Sequence, residues 1–315
     1  MPDFTAAWLA LREPSDHAAR SPHVTRAVAC ALKRNAELCV LDLGAGTGSN
    51  LRYLAGRLPT PQRWMLVDRQ AALLAHAARA DGPGVAVETR RLDIGRIRNK
   101  SVRSLFDGKS LVTASALLDL VSERWLREVA GLCADAGAAA LFALTYDGRV
   151  ECTPADEGDE LVVRLVNEHQ RRDKGLGGRA LGPDAADCAA DAFAACGYRV
   201  QRGRSDWMLR ADASELQRQL VDGWAFAATE VAPARATEID LWRARRLEHV
   251  TAGRSAIRVG HEDLGAWNGE AFDQFPQCRS AKALAERRNS RRSFRSAKAF
   301  TLHASERRTR PRSQA

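Results

Sequence analysis

The feature that most constrains this chain is a short apolar run that leads directly into three alternating glycines. The segment Val40-Leu41-Asp42-Leu43-Gly44-Ala45-Gly46-Thr47-Gly48-Ser49-Asn50 is followed by a helical pattern. Such an apolar run is typical of a buried parallel strand, and glycines allow a sharp turn close to a ligand. The N-terminus of the next helix offers unpaired N–H groups that favour a carboxylate or a phosphate. The segment therefore predicts a ligand-binding strand–loop–helix unit.

Three aspartates lie where strands of such a sheet would end. Asp42 precedes the first glycine by two residues, Asp68 ends a second apolar run, and Asp93 follows a third. Ligands of open parallel sheets bind at the carboxyl ends of the strands. We expect Asp68 to accept both ribose hydroxyls of a nucleoside, Asp93 to pair with an adenine amino group, and Asp42 to hold an amino group. The dinucleotide pattern G-x-G-x-x-G is not matched, because Ser49 stands at its third glycine position.

Short apolar runs alternate with helical patterns, which indicates an α/β fold with a doubly wound, mostly parallel sheet of seven strands. Ser122 is predicted to cap a helix that carries the stripe from Trp125 to Cys133. Residues 147–182 are polar and end in glycines, so we interpret them as a solvated loop or a lid. The predicted strands are 38–43, 64–68, 85–92, 110–115, 138–146, 198–202 and 256–260, and further predicted helices are 71–80, 183–196, 214–230 and 234–250.

The glycine loop at 42–50, Asp68, the triplet Leu92-Asp93-Ile94 and the segment 113–120 together resemble the class I S-adenosylmethionine-dependent methyltransferases. The resemblance covers residues 38–146 clearly and the last strands only in their general order. It implies the Rossmann-like fold of that family and S-adenosyl-L-methionine as cofactor. By this resemblance Asp42 lies near the amino group of the cofactor, Asp68 takes the ribose diol and Asp93 reads adenine. The remaining cofactor-binding residues implied are Gly44, Ala45, Gly46, Gly48, Asn50, Arg69, Ile94 and Ser115.

Methyl transfer requires a nucleophile that is placed in line with the activated methyl and stripped of water. The residues after the fourth strand lie beside the methyl donor in this family, and here they include Ser115 and Asp119. Asp119 is a candidate base or orienting group, and the alternative is a helix cap or a supporting hydrogen bond. Candidates for the substrate pocket are Arg12 before the first strand, Tyr146 after the fifth, and His169 in the polar segment, with His17 as a further candidate.

The resemblance divides the chain into three parts. Residues 1–37 are expected to form covering helices, and residues 38–265 the methyltransferase domain with a helical insertion at about 212–252. Residues 270–315 form a basic tail that we expect to be disordered. The segment 279–315 holds 12 Lys and Arg and only 2 Asp and Glu, whereas the rest of the chain holds 36 and 37. The positive charge of the whole chain is therefore a property of the tail, and any contact with nucleic acid is expected there alone.

Missing motifs narrow the methyl acceptor. The sequence lacks N/D-P-P-Y/F, which amino methylation of nucleobases or glutamine would require, and Pro-Cys after the fourth strand, which cytosine C5 methylation would require. We therefore expect transfer to O or N of a small, in one reading anionic, molecule. The alternatives are an RNA or protein methyltransferase that docks through the tail, a nicotinamide-dependent oxidoreductase, and a non-catalytic cofactor-binding protein.

Composition excludes further classes. The seven cysteines are scattered without a C-x-x-C pair, so we expect neither a disulfide framework nor a metal site. No apolar run approaches the roughly 18 residues that span a bilayer, and no secretory signal opens the chain. We expect a cytoplasmic protein without a membrane partner, and the sequence leaves its oligomeric state open.

Overall fold

A computed structural model describes residues 4–32, 37–77 and 82–268. The predicted basic tail at 270–315 lies outside these residues, as does the end of the helix predicted at 71–80. Within the described part, no helix combines the length and the apolar character needed to cross a membrane.

Ten α-helices and eight strands alternate through most of the described residues. The helices are α1 Ala6–Ala19, α2 Pro22–Ala31, α3 Ser49–Leu54, α4 Ala71–Ala77, α5 Lys100–Arg103, α6 Glu123–Ala136, α7 Asp159–Gln170, α8 Ala185–Ala195, α9 Ser214–Val231 and α10 Ala236–Thr251. The strands are β1 Leu38–Leu43, β2 Gln62–Asp68, β3 Val85–Arg91, β4 Leu111–Ser115, β5 Ala139–Thr153, β6 Tyr198–Arg204, β7 Trp207–Leu209 and β8 Ala256–Asn268.

The strands form one sheet in the order β3-β2-β1-β4-β5-β8-β6, and β7 pairs with β8. The pairings from β3 to β5 are parallel, and β8 runs antiparallel to its three partners. The predicted doubly wound, mostly parallel sheet is confirmed. The predicted count of seven strands is wrong by one, because β7 has only three residues and too little alternation to be seen in sequence.

The local signals explain why the central elements form where they do. β1 is almost wholly buried, as a strand covered on both faces should be. Ser122 caps α6 by accepting a hydrogen bond from the Trp125 backbone nitrogen at 3.2 Å, as predicted. Gly137 ends α6 in the left-handed conformation. The buried face of α6 then packs into the main core, where the Trp125 indole donates to the Ile94 carbonyl at 2.7 Å.

Past the carboxyl edge of the parallel strands, β5 and β8 continue as a long antiparallel pair. Tyr146 pairs with His261 and Val150 with Val259, with register shifts between these positions. The interpretation of residues 147–182 as a solvated loop is wrong for much of its length. It contains the end of β5 and α7, whose Leu161, Val162, Leu165 and Val166 join a second core with α9 and α10. These four apolar residues form a helical stripe among charged neighbours.

A buried carboxylate joins the N-terminal helices to the sheet. Asp263 in β8 is fully buried and accepts hydrogen bonds from the Ser21 nitrogen at 2.8 Å and the Leu144 nitrogen at 2.9 Å. It also pairs with the Arg20 guanidinium at 3.3 Å. Leu144 has a φ of +53° where β5 departs from its register, so the carboxylate takes the place of a strand partner there. Asp263 thus fixes the α1–α2 junction and the irregular part of β5 together.

We expect Asp263→Ala to lower the free energy of unfolding by at least about 3 kcal/mol, because it leaves Arg20 buried without its counter-charge. Urea unfolding followed by circular dichroism measures the change. Glu238→Ala is the matched control, since it breaks an exposed ion pair with Arg235 and should leave the stability nearly unchanged. Equal stability of the two variants would contradict this account of the junction.

Candidate functional site

A cavity opens at the carboxyl ends of β1, β2 and β4, where ligands of open α/β sheets bind. The structure brings eleven of the predicted site residues into its wall. They are Arg12, Asp42, Gly44, Ala45, Gly46, Asn50, Asp68, Arg69, Asp93, Ile94 and Ser115. Residues at and just after the carboxyl ends of the strands therefore lie together in this wall.

Asp68 supports the glycine loop through a hydrogen bond to its backbone. Gly44, Gly46 and Gly48 have φ values of +67°, +54° and +82°, a conformation that other residues adopt at a cost. The Asp68 carboxylate accepts from the Gly46 nitrogen at 3.0 Å and from the Gln70 nitrogen at 2.9 Å. Each carboxylate oxygen keeps a second lone pair. Asp68 therefore supports the loop and can still accept hydrogen bonds from a diol in the cavity.

Asp42 is a buried carboxylate with one oxygen in use. Its Oδ1 accepts from the Asn50 side-chain amide at 2.9 Å, and its Oδ2 has no hydrogen-bond partner among the described residues. Burial raises the pKa of Asp42 to about 7, although Asn50 and the charge of Arg20 act in the opposite direction. A buried acceptor without a partner is costly, and a cationic ligand group would satisfy it. Asp42 is therefore a wall residue at which a bound ligand would satisfy an unpaired acceptor.

Asp93 does two things at once. Its Oδ1 accepts from the Gly95 nitrogen at 2.9 Å, so it caps a turn, and its side chain also lines the cavity. Gly95 has no room for a side chain, because a Cβ there would lie 2.5 Å from the Gly175 carbonyl oxygen. The segment after α7 therefore packs against this turn and brings Leu176 into the cavity wall.

Asp119 lies at the edge of the site and not in its wall. It sits in a 3-10 helix, Leu118–Leu120, between Leu117 and Leu120, which do line the cavity. Its Oδ1 has no hydrogen-bond partner within the described part of the chain. Burial raises the pKa of Asp119 to about 6, opposed by a backbone N–H of Tyr146 and by the charges of Arg12 and Lys174. Ser115, at the end of β4, lies in the cavity wall itself.

Arg12 projects from α1 into the same cavity. Its Nε and Nη2 atoms donate to Asp16 at 2.9 and 3.1 Å, and its guanidinium lies 4.8 Å from the centre of the Trp207 ring. The Trp207 indole in turn donates to Asp16 at 3.0 Å. Arg12 is therefore held in one orientation by a carboxylate and an aromatic face.

Four of the predicted site residues lie away from the wall that the described residues form. Gly48 begins α3, and Asp119 lies at the edge as described. Tyr146 is buried, and its hydroxyl donates to Asn167 Oδ1 at 2.7 Å; burial raises its pKa. His169 turns towards α9, where its Nε2 lies 2.9 Å from Glu230 Oε2. The placement of His169 in the pocket is thus corrected, because the segment that carries it folds as α7.

His17 contacts α3 instead of the cavity. Its Nε2 lies 3.0 Å from the Ser49 carbonyl oxygen and 3.1 Å from the Ser49 hydroxyl, and its ring packs on Tyr53. Its part in the structure is to join α1 to the helix that follows the glycine loop.

Sequence reasoning missed several wall residues. Leu9, Arg12 and Asp16 share one face of α1; the segment 8–17 that holds them is a predicted pocket region, in which Arg12 alone is a named candidate for the wall. Their helical spacing was a usable signal. His261 is a different case: it is buried between Tyr146 and Trp207 by the pairing of β8, and burial lowers its pKa to about 3. No local sequence pattern predicts this position of His261. Over the described residues, no group of three or more His, Cys, Asp or Glu is placed to hold a metal ion.

No protein-family model and no curated protein matches this chain. Similar solved structures include S-adenosylmethionine-dependent methyltransferases from Thiobacillus denitrificans and Geobacter sulfurreducens, both in complex with S-adenosyl-L-homocysteine. They are 14% and 16% identical, with TM-scores of 0.41 and 0.40, and cover 85% of this chain and 100% of their own. The cyclopropane synthase MmaA2 from Mycobacterium tuberculosis is 10% identical, with a TM-score of 0.39 and coverage of 76% and 82%.

We expect Gly48→Ala to destabilise the protein by roughly 1–3 kcal/mol, because alanine is strained at this φ. Its Cβ would also lie 3.1 Å from the Cβ of Ala77. Gly56→Ala is the matched control, since nothing lies within 4 Å of the added carbon and its φ is ordinary. Thermal and urea unfolding compare the two, and a Gly56→Ala variant as unstable as Gly48→Ala would refute the argument from backbone strain.

Proposed function

We propose that this protein is a methyltransferase that uses S-adenosyl-L-methionine as methyl donor. The observation that carries the proposal is the convergence of three carboxylates and the glycine loop in one cavity, with Asp42 Oδ2 buried and without a partner. The cofactor supplies an activated methyl group on a sulfonium, together with an ammonium, a ribose diol and an adenine. Each of these groups has a counterpart among the residues of the wall.

The fit can be stated residue by residue. Asp42 would accept from the ammonium, which would supply the missing partner of its Oδ2. Asp68 would accept from the ribose hydroxyls while it keeps its bonds to the glycine loop. Asp93 and Ile94 would bind the adenine, with Leu73 and Leu92 as apolar walls. An acid at Asp42 suits an ammonium and opposes the pyrophosphate of a dinucleotide.

We place the methyl acceptor between α1 and the 3-10 helix at Leu118–Leu120. Arg12 lines this side of the cavity, and Arg12 and Lys174 both act electrostatically on Asp119. The Arg12 guanidinium, which lines the cavity beside apolar side chains, favours a small acceptor that carries a carboxylate or a phosphate. Leu9, Leu117, Leu120 and Leu176 contribute the apolar surface that would exclude water from the nucleophile.

Asp119 would act as the general base. With a pKa of about 6 it is ionised at neutral pH and still basic enough to take a proton from a hydroxyl or an ammonium group. Its carboxyl group lies at the edge of the cavity beside the wall residues Leu117 and Leu120, and it would take the proton from an acceptor bound against this 3-10 helix. Ser115 in the wall would orient the acceptor oxygen or nitrogen.

Calorimetric titration with S-adenosylmethionine and S-adenosylhomocysteine tests the cofactor. We expect binding in the micromolar range, weakened at least tenfold in Asp68→Asn, because one charge-assisted hydrogen bond contributes about 1.5–3 kcal/mol. Asp135→Asn, an exposed carboxylate on α6 outside the cavity wall, should bind as the wild type does. NADH and NADPH serve as further ligands, and binding of either in place of the sulfur compounds would overturn the proposal.

Turnover is measured as release of S-adenosylhomocysteine over a panel of hydroxy and amino compounds with carboxylate or phosphate groups. With an active acceptor, kcat/KM of the wild type should fall as the pH drops through about 6, because Asp119 becomes protonated. Asp119→Asn should lose about 10²- to 10⁴-fold in kcat together with this acidic limb, and keep its affinity for S-adenosylhomocysteine. A variant with the same profile as the wild type would rule out Asp119 as the base.

A further inference from the structure

A chain of buried polar groups runs from β8 to the candidate cofactor site. Asp263 pairs with Arg20 Nε at 3.3 Å, and Arg20 Nη1 donates to Asn50 Oδ1 at 2.9 Å. Asn50 Nδ2 donates to Asp42 Oδ1 at 2.9 Å. None of the four residues is more than 4% exposed. Three sequence-distant parts of the chain therefore meet at Asp42.

The hydrogen-bond donors and acceptors of this series of buried groups fit together in only one arrangement. A guanidinium can only donate, so Asn50 must turn its oxygen to Arg20 and its nitrogen to Asp42. The second Nδ2 proton goes to Thr113 Oγ1 at 3.0 Å, which is free to accept because its own proton goes to the Leu141 carbonyl at 2.6 Å. Arg20 therefore sets the orientation of the Asn50 amide together with Asp42 and Thr113.

We propose that Arg20 is a positioning residue for the cofactor site: by fixing the Asn50 amide it keeps Asp42 as an anionic acceptor whose Oδ2 is available to a cationic ligand group. The identity of that ligand rests on the proposed function, whereas the role of Arg20 is a property of the ligand-free protein. Arg20 ends α1 and precedes the Ser21 cap of α2. The docking of both N-terminal helices is thereby linked to the charge of Asp42.

The charges around Asp42 determine how the loss of Arg20 would act. Burial is the largest influence and raises its pKa; Asn50 and Arg20 lower it, and Asp68 at the end of β2 raises it. Thr113 of β4, the other polar group of the network, is uncharged. Without Arg20, Asp42 loses a nearby positive charge and the Asn50 oxygen loses its donor. The amide can then reverse if Asp42 is protonated and the Thr113 hydroxyl turns from Leu141 to the Asn50 oxygen. Removal of Arg20 should therefore favour the neutral form of Asp42.

The test is a pH titration of the ligand-free protein by NMR, from pH 5 to 9, which follows the side-chain carboxyl ¹³C signal of Asp42. The signal is assigned by its loss in Asp42→Asn. We expect a midpoint near 7 in the wild type and a midpoint higher by about one pH unit in Arg20→Met, a tenfold change in proton affinity. An unchanged midpoint in a folded Arg20→Met variant would overturn the proposal.

Arg246→Met is the matched control. Arg246 is an equally buried arginine that is paired with Asp159, far from Asp42 in the fold. It should be destabilised in the same way and leave the Asp42 midpoint where it is. A shift of equal size in this control would mean that general loosening of the structure, and not the Asn50 amide, moves the titration.

Two further measurements apply if Arg20→Met does not fold. Asn50→Leu removes the group that transmits the effect, and its Asp42 midpoint should rise as well. In the wild type, the two Asn50 side-chain amide protons should shift with the same midpoint as the Asp42 carboxyl, because one of them is bonded to it. Amide protons that do not respond to this titration would refute the chain. If these results hold and S-adenosylmethionine does not bind, the proposed function fails and the role of Arg20 stands.

Discussion

The buried pair of Asp263 and Arg20 is the interaction on which the arrangement of the site depends. Asp263 accepts hydrogen bonds from two backbone N–H groups and one guanidinium. These three donors replace the water that its buried charge has lost. The pair holds the C-terminal end of α1 against β8, and this determines where α1 lies over the sheet. From there α1 brings Leu9 and Arg12 over the cavity. A strand far along in the sequence thus determines how the N-terminal helix covers the loop after β1.

Buried ionisable groups at and near the site make the stability of the folded protein depend on pH, in two opposite directions. The pKa values of Asp42 and Asp119 are raised in the folded state to about 7 and 6, so the native protein binds more protons than the unfolded chain. Their influence therefore lowers stability as the pH rises through these values. The pKa of His261 is depressed to about 3, and its influence lowers stability as the pH falls below 6.5. The two carboxylates are thus held at a cost near neutral pH, which a cationic or proton-donating ligand would offset.

The sequence predicts the proposed cofactor side of the cavity far better than the proposed acceptor side. Asp42, Asp68 and Ser115 lie in the last residues of β1, β2 and β4, and Asp93 lies two residues after β3. Parallel strands bring their carboxyl ends to one edge of the sheet. Local pattern is therefore enough to place them. The proposed acceptor side depends on contacts between distant segments. The sequence pattern predicts a loop where α7 forms, and His169 of α7 faces Glu230 of α9. Arg20 and Asp263, 243 residues apart, show no shared local signal at all.

The N-terminal segment is what joins these two sides. On the cofactor side, Leu9 lies 3.1 Å from where a Cβ of Gly46 would be, and Glu13 pairs with Arg52 of α3 at 2.7 Å. On the proposed acceptor side, the charge of Arg12 lowers the pKa of Asp119. Arg12 itself donates to Asp16 and lies over the Trp207 ring. Because α1 carries both sets of contacts, the position of this one helix determines the surroundings of both the glycine loop and the proposed acceptor subsite. In the proposed reaction, that shared support would keep the nucleophile in line with the methyl group, which is the main task that methyl transfer leaves to the protein.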